Sequence, residues 1–191
     1  EIVRSRRRAK RRYPRSKAQV IIDAAEDKAR NGLKNLRVND CMISERVSDR
    51  IWDLTSLEEL SLAKNKMRKL SSKIEYLVKL NELDVSHNSL TQLPRQIADL
   101  SLLRTFNGSH NKFKKFTAFL FKCSKLETVN LEHNKFRRLP VTVGNLELLK
   151  ATKQWEVGIG VLKNLKSLNL ANNLFAIWPE QIERNAKLTD L

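Results

Sequence analysis

Apolar residues recur along most of the chain at fixed spacing, with polar positions between them. The unit is clearest in residues 80–102, where its characteristic residues are Leu80, Leu83, Val85, Asn88, Leu90, Leu93, Pro94, Ile97 and Leu100. Units begin 23 or 24 residues apart, at Leu33, Leu57, Leu80, Leu103 and Leu126. Alternation at the start of each unit predicts a short strand, and spacing of three or four residues towards its end predicts a helical or 3-10 segment. The chain is therefore predicted to be a solenoid of stacked units.

The order L-x-x-L-x-L-x-x-N-x-L in residues 80–90 is the leucine-rich repeat signature. In their length and in the L-P-x-x-I/V wording of 93–97 and 139–143, the units resemble the intracellular, Ras-suppressor-like class of leucine-rich repeats. The resemblance covers residues 33–191 and implies an α/β solenoid with a curved parallel sheet on its concave face and short helical or 3-10 segments on its convex face. It also implies a noncatalytic binding scaffold whose concave face is the usual binding face.

One polar position in each unit is expected to be buried. It is occupied by Cys41, Asn65, Asn88, Asn111 and Asn134. Each asparagine side chain can bond free backbone groups of neighbouring turns, so the column should form a hydrogen-bonded ladder. Gly108 replaces an expected strand leucine. The missing side chain leaves a gap beneath Phe106 and Phe113 that larger neighbours must fill.

Two segments precede the repeats. Residues 1–17 lack apolar periodicity and carry nine cations against one acid, so we expect a basic arm that is disordered unless a partner orders it. Residues 18–32 should form a helix that caps the apolar edge of the first unit and ends at Gly32. Its expected apolar face consists of Val20, Ile21, Ala24, Ala25 and Ala29.

The regular spacing fails after Leu149. The next unit begins at Leu165, which follows by 16 residues rather than 23, so we predict a shortened or irregular unit at 149–164. We expect residues 150–158 to form either a non-repeat bulge or a shortened turn. Leu191 falls where the next strand would start, so the last repeat is expected to be incomplete, as in a fragment or under a partner.

Positive charge is concentrated in two places. The formal net charge is +16, and the arm supplies half of it. Further cations follow the buried asparagines of three units at matching positions. We call these nine residues the cationic ridge: Lys66, Arg68, Lys69, Lys112, Lys114, Lys115, Lys135, Arg137 and Arg138. The unit that begins at Leu80 interrupts the ridge with Ser89, Thr91 and Gln92.

Such concentration favours an anionic partner, with RNA or another polyanion as the candidates. The arm would contribute Arg6, Arg7, Arg8, Lys10, Arg11 and Arg12 to the same site. Solvated charge without a partner is the alternative, because charged residues are ordinary on exposed turns.

The repeat also fixes which side chains face the concave surface. One column should contain Asn35, Glu59, Glu82, Thr105, Thr128 and Ser167, and the next Arg37, Ser61, Asp84, Asn107, Asn130 and Asn169. We expect a protein partner to contact Arg37, Glu59, Glu82, Asp84, Asn107, Asn130, Glu132 and Asn169. These side chains are mostly small, polar or acidic and lack the aromatic anchors of strong interfaces.

The histidines offer the main candidate chemistry. His87, His110 and His133 each precede a ladder asparagine and should stack about 5 Å apart. They could bind metal or sense pH, but a straight stack is poor tetrahedral geometry, which favours an ordinary exposed repeat position. The sequence contains no metal-ligand cluster, phosphate-binding loop or nucleophile motif, so we predict neither an enzyme nor a cofactor.

The chain has two cysteines, no disulfide-rich cap and no apolar run near the ~18 residues that cross a bilayer. These features predict an intracellular protein, cytoplasmic first, with nuclear or mitochondrial location as alternatives. Two functions stay open. One is a noncatalytic protein-interaction scaffold with a basic arm. The other is a structural subunit of a large anionic assembly, ribonucleoprotein or microtubule-based, docked by the arm and the cationic ridge.

Overall fold

The computed structural model describes residues 16–29, 32–44, 47–115, 119–138 and 164–176. In this part of the chain there is one α-helix, α1 (Lys17–Ala29), and six strands: β1 (Asn35–Arg37), β2 (Glu59–Ser61), β3 (Glu82–Asp84), β4 (Thr105–Asn107), β5 (Thr128–Asn130) and β6 (Ser167–Asn169). It also contains the 3-10 helices η1 (Asp49–Asp53), η2 (Ser72–Tyr76), η3 (Arg95–Asp99) and η4 (Leu120–Lys122). The arm as far as residue 15 and most of the irregular unit at 149–164 lie outside the described residues.

The six strands form one parallel sheet in chain order. Equivalent residues of successive units are paired, so that Leu60 stands opposite Leu83 and Leu83 opposite Phe106. The middle residue of each strand is buried and its two neighbours are more exposed, because successive side chains point to opposite faces. The predicted α/β leucine-rich repeat solenoid is therefore confirmed.

A ladder of buried asparagines joins the turns that follow the strands. Asn111 Oδ1 accepts from the Leu90 N–H at 2.9 Å, and Asn111 Nδ2 donates to the carbonyls of Val85 at 2.9 Å and Gly108 at 3.1 Å. Equivalent bonds are made by Asn65, Asn88, Asn134 and Asn173. The predicted ladder is confirmed, and its bonds satisfy backbone groups that would otherwise be buried without partners.

The second half of the unit also forms as predicted. Each 3-10 helix places an apolar residue at the equivalent core position, namely Ile51, Ile74, Ile97 and Leu120, and η1 buries Trp52 as well. At Gly108 a Cβ atom would lie 2.9 Å from Phe106 Cε1 and 3.1 Å from Phe113 Cε2. The two phenylalanine rings therefore occupy the space that the missing strand leucine leaves.

Helix α1 packs against the first unit. Ser16 Oγ accepts from the Gln19 N–H at 3.2 Å, which caps the helix and explains why it begins at Lys17. Arg50 of η1 binds Asp23 at 2.8 Å and also pairs with Glu26. These contacts fix α1 to η1.

The predicted apolar face of α1 is partly wrong. Val20 is 55% exposed and Ala24 is also exposed, whereas Ala18, Ile22 and Ala25 are buried in the core. The buried residues follow the spacing i, i+4, i+7, which defines one stripe of a helix. The face is centred on Ile22, next to the stripe that the sequence suggested.

The sheet continues across the irregular part of the sequence. Thr128 of β5 pairs with Ser167 of β6, 39 residues further along the chain, whereas the other neighbouring strands are 23 or 24 residues apart. The ladder also continues, because Asn173 Oδ1 accepts from the Phe136 N–H at 3.1 Å. No strand therefore lies between β5 and β6 in the described sheet.

Candidate functional site

Two columns of side chains cross the concave face in the predicted register. The first contains Asn35, Glu59, Glu82, Thr105, Thr128 and Ser167, and the second contains Arg37, Ser61, Asp84, Asn107, Asn130 and Asn169. Glu132 lies just beyond β5, where its Oε2 accepts from Asn169 Nδ2 at 3.1 Å. The structure thus brings together on one face all eight residues that the sequence assigns to a protein site.

Four side chains of the second column, those on β3 to β6, are held in place by the backbone. Oδ1 of Asp84 accepts from the N–H of Ser86 at 2.9 Å. Asn107, Asn130 and Asn169 make the same bond to the N–H two residues further on, at 3.2, 3.0 and 3.0 Å. Because these side chains are already ordered, a ligand would lose little rotamer entropy on binding them.

Acidic residues are concentrated at the centre of the concave face. Glu59 and Glu82 stand side by side on β2 and β3, and Asp84 lies two residues further along β3. Within the described residues neither glutamate forms an ion pair. The three acids line a shallow hollow of about 290 Å³, with Arg37 and Asn107 also in its wall. Adjacent carboxylates of this kind attract cationic groups.

The cationic ridge lies on exposed turns after the strands. All nine of its side chains are exposed, and none forms an ion pair with another described residue. Backbone bonds stack these turns, for example from Lys135 N–H to the Phe113 carbonyl at 2.8 Å. The Lys112 and Lys135 turns are direct neighbours, while the Lys66 turn is separated from them by the turn that carries Ser89.

The beginning of α1 lies beside the first turn of the ridge. Ser16 lines a hollow together with Met42 and Ser44 of the first unit. The Lys66 N–H donates to the Ile43 carbonyl at 2.8 Å. This bond joins the turn of the first unit, which contains Ile43, to the first turn of the cationic ridge, which contains Lys66. The basic arm is therefore attached next to the ridge, although the predicted anion-binding residues of the arm lie outside the described residues.

The opposite edge of the sheet carries charges that the sequence reasoning missed. The residues immediately before the strands form what we call the strand-entry edge: Lys34, Glu58, Asn81, Arg104, Glu127 and Lys166. Lys34 Nζ lies 2.8 Å from Glu58, Lys166 Nζ lies 2.7 Å from Glu127, and Arg104 also binds Glu127. Reading the column just before the first concave one would have revealed these alternating signs.

The three histidines stack along the same edge as the ridge. Their ring centroids are 4.1 and 4.3 Å apart, which confirms the predicted column. His133 Nε2 lies 3.1 Å from Asn172 Nδ2 and 3.4 Å from Glu132 Oε1. Burial, followed by the positive charges of His87 and His133, lowers the pKa of His110. The parallel rings do not converge on one point, as a shared metal ligand set must.

Both cysteines are buried free thiols. Burial raises the pKa of Cys123 to about 12 and also raises the pKa of Cys41, so neither is a ready nucleophile. In the described ranges no three His, Cys, Asp or Glu side chains are grouped so as to hold a metal ion. No helix in these ranges has the length and apolar character needed to cross a membrane.

Sequence comparison identifies the repeat. Residues 55–113 match the family model described as leucine rich repeat. No curated protein matches the chain in sequence.

Solved structures share the fold. They include an internalin from Listeria monocytogenes (TM-score 0.61, 21% identity, 82% of this chain and 39% of that one). The receptor kinase HAESA from Arabidopsis, in complex with the peptide hormone IDA and the co-receptor SERK1, gives a TM-score of 0.66, 23% identity and coverage of 85% and 26%. The ectodomain of GASSHO1/SCHENGEN3 from Arabidopsis thaliana, in complex with CASPARIAN STRIP INTEGRITY FACTOR 2, gives a TM-score of 0.65 and 20% identity. The match covers 85% of this chain and 19% of that one.

This chain thus spans two fifths or less of each of these three chains. Identities at this level establish the fold. Leucine-rich repeat proteins are in general interaction modules rather than enzymes. Residues 55–113 are thus leucine-rich repeats, and the described part of the chain has the fold of a leucine-rich repeat solenoid.

Proposed function

We propose that this protein is a noncatalytic scaffold that binds a protein partner through its concave face. The observation that carries the proposal is the combination of ordered polar side chains with the acids Glu59, Glu82 and Asp84, none of which has an ion-pair partner among the described residues. A partner segment rich in lysine or arginine would complement these acids. The ordered asparagines of the second column would bind its backbone and polar side chains.

The structural neighbours support this kind of function by analogy. Two of them have been solved in complexes with a peptide hormone or an integrity factor. A solenoid presents many equivalent positions along one curved face, which suits an extended partner. The absence of exposed aromatic residues from the two columns suggests recognition by charge and hydrogen bonds rather than by apolar anchors.

The test is charge reversal on the concave face. Proteins captured from a cell lysate by the intact chain would be identified by mass spectrometry, and capture would be repeated with Glu59, Glu82 and Asp84 changed to lysine. We expect the specific partners to be lost. A control with the same change in net charge carries Asp53→Lys, Glu75→Lys and Asp99→Lys on the 3-10 helices. Equal capture by both variants and the intact chain would place the site elsewhere.

A second function is favoured by the exposed ridge. We propose that the basic arm and the cationic ridge dock the protein on an anionic assembly, such as a ribonucleoprotein or a microtubule-based structure. The support is that the ridge lacks ion pairs within the described residues and that α1 begins beside its first turn. If RNA is bound, the ridge would contact phosphates, so sequence preference should be weak.

RNA binding across a salt series tests the second function. The intact chain would be compared with a deletion of residues 1–15, which keeps the Ser16 cap, and with a variant in which the nine ridge cations are glutamine. Both changes should weaken binding and flatten its salt dependence, because fewer counterions are released. Binding that is absent, or that ignores salt in the intact chain, contradicts this function.

We also propose an intracellular location, in line with the Ras-suppressor-like class that the sequence resembles. Two buried free thiols are compatible with a reducing compartment. Imaging of the tagged chain, with and without residues 1–15, would test this. Cytoplasmic signal that becomes nuclear only when the arm is present would assign the arm an import role, and secretion would contradict the proposal.

A further inference from the structure

The three histidines of the chain, His87, His110 and His133, lie beside the cationic ridge. We call them the histidine column, and all three are exposed. Each precedes a ladder asparagine, and in the units of His110 and His133 a ridge lysine follows that asparagine, as Lys112 and Lys135. The column and the ridge therefore share the same turns in these two units.

The column also crosses the interruption of the ridge. Lys64 occupies the histidine position in the preceding unit, and backbone bonds of 3.0 Å from the N–H groups of Lys64 and His87 join each turn to the next. The unit of His87 is the one that lacks ridge cations, with Ser89, Thr91 and Gln92 in their place. A protonated His87 would therefore supply a cation where the ridge has none.

The last ring of the column is neutral in the structure. An amide nitrogen only donates, so the contact of Asn172 Nδ2 with His133 Nε2 at 3.1 Å makes that ring nitrogen an acceptor. A protonated imidazole has no acceptor nitrogen. The same amide donates to Glu132 Oε1 at 3.1 Å, and this oxygen lies 3.4 Å from His133 Nε2. Protonation would thus exchange the Asn172 contact for an ion pair with Glu132.

Repulsion opposes protonation of the column as long as no anion is bound. The rings stack at 4.1 and 4.3 Å, so neighbouring imidazolium charges would repel one another. Desolvation, and then the charges of the two neighbouring histidines, lower the pKa of His110, whereas Glu132 raises it. Permanent cations on the turns of the column and next to it add to the repulsion, and these are Lys64, Lys66, Lys112 and Lys135. A phosphate bound at the ridge would reverse the balance, because an opposite charge favours the protonated ring.

We propose that the histidine column and the cationic ridge form one RNA-binding surface that takes up protons on binding and therefore binds more tightly in mildly acidic solution. This inference rests on the proposed docking function of the ridge and adds its regulation. Each histidine that gains a proton would contribute a further phosphate contact. Because the bound phosphates favour protonation, the pKa of the column should be higher in the complex, and affinity should rise as the pH falls towards and below about 6.5.

Binding of oligouridylate without a terminal phosphate tests this linkage. Uracil stays uncharged in the chosen range, from about pH 7.5 to about pH 5.5, where histidines are the side chains that ordinarily titrate. Fluorescence anisotropy should show roughly tenfold tighter binding at the lower pH, about twofold for each new exposed charge contact. The dependence of log K on log salt should steepen by up to about 2, since each phosphate contact contributes about 0.7. Equal affinity and salt dependence at both pH values overturn the proposal.

The chain itself supplies two matched substitutions. Asn172 and Lys64 occupy the histidine position in other units, with φ of 56° and 55° against 51° to 52° for the histidines, so asparagine and lysine both fit this backbone. Together, His87→Asn, His110→Asn and His133→Asn should keep the affinity at neutral pH and remove the gain at acid pH. Lysine at the same three positions should give the tighter binding at both pH values. A gain at acid pH that survives the asparagine substitutions contradicts the proposal, and circular dichroism checks the fold of each variant.

Histidine ring signals in NMR spectra give a readout other than affinity. Their pH titration should yield higher pKa values with bound oligouridylate than without it, and unchanged values would overturn the proposal. The variant with glutamine throughout the ridge separates the two ideas. Binding that depends on the ridge but not on pH keeps the docking function and rejects the role of the histidines. Acid-dependent binding without any contribution from the ridge rejects the shared surface, and no binding at either pH rejects both proposals.

Discussion

The two edges of the sheet treat charge in opposite ways. At the strand-entry edge, cations and acids alternate and bind one another, as Glu127 does with Arg104 and Lys166. On the cationic ridge, nine exposed cations have no acid partner among the described residues. Both edges stack equivalent positions about 4.8 Å apart. Positions with the same spacing therefore carry paired charges on one edge and unpaired cations on the other. The unpaired cations are available to bind an anionic partner.

The pKa values of the strand-entry edge record this pairing. The hydrogen bond and charge of Glu58 raise the pKa of Lys34, and hydrogen bonds from Lys166 and Arg104 lower the pKa of Glu127. Such pairs favour the folded state slightly. Like charges on neighbouring turns of the ridge disfavour it slightly, so the ridge is better explained by binding than by stability.

The largest effect is expected when acids are introduced into the ridge, so that positive and negative charges alternate there as they do at the strand-entry edge. With Lys135, Arg137 and Arg138 changed to glutamate, the three acids would face the cations of the neighbouring Lys112 turn. We expect RNA affinity at low salt to fall roughly a thousandfold, because about six phosphate-binding positions are lost or neutralised. Fluorescence anisotropy with labelled oligonucleotide measures this, and circular dichroism should show an unchanged fold.

The control for that experiment makes the same change in net charge elsewhere. Lys79, Lys122 and Lys125 are exposed outside the ridge, and changing them to glutamate should reduce affinity far less. Equal losses in the two triple variants would show that overall charge, rather than the ridge, attracts RNA.

Removing one asparagine of the ladder should lower the stability of the whole solenoid, including both edges of the sheet. Asn111→Ala deletes the acceptor of the Leu90 N–H and the donor to Val85 and Gly108. We expect a loss of about 2–4 kcal/mol in the free energy of unfolding, because several buried backbone groups lose partners. Urea unfolding measures it. Asn35→Ala, an exposed change on β1, should cost little, and a similar loss there would contradict the buried-ladder account.

A smaller effect compares single charges on the two edges. Glu127→Gln removes the acid that binds Arg104 and Lys166, so stability should fall and the loss should shrink with added salt. Because the pKa of Glu127 is lowered on folding, its contribution is present above the ordinary glutamate pKa of about 4.3 and is lost as the pH falls below it. Chemical unfolding at several pH values should show that the free energy of unfolding falls less steeply at acid pH in the variant than in the unsubstituted chain.

Lys135→Gln on the ridge should act with the opposite sign, leaving stability unchanged or slightly raised. If this substitution destabilises the protein as much as Glu127→Gln does, the ridge cations have stabilising partners in the folded protein and the contrast between the edges fails.

The smallest expected effect lies in the histidine column. The pKa of His110 is lowered on folding, so the unfolded chain binds a proton more readily, and stability should decline as the pH falls below about 6.5. Glu132 opposes this shift. His110→Gln should remove part of the decline, as measured by urea midpoints between neutral and mildly acidic pH. An unchanged pH profile would contradict a role for this side chain.

The sequence predicts well the features that recur at a fixed position in each repeat. Once Asn88 and Asn111 are aligned, the strand register, both concave columns, the ladder and the histidine stack follow. Each unit supplies the reference frame for the next. The strand-entry edge could have been found in the same way, since it is one more column of the same alignment.

Features without a repeat reference are harder to predict. Helix α1 has apolar residues on two adjacent stripes, and the position of the first unit decides that Ile22 rather than Val20 is buried. Trp52 has no equivalent tryptophan in the later units, so its burial on η1 could be found only by examining the packed side chains. Whether the concave columns bind a partner stays a prediction, because composition and register do not determine affinity.

The turn before each ladder asparagine sets a limit on sequence variation. His87, His110 and His133 all have a backbone φ of 51° to 52°, as Lys64 does at 55°. Asparagine, aspartate and glycine tolerate this left-handed conformation, whereas valine and isoleucine do not. Only a limited set of amino acids can therefore be accommodated at these positions. New chemistry on this edge would come from polar residues without a β branch, such as the histidines that occupy it, and a library randomised there should return few β-branched survivors.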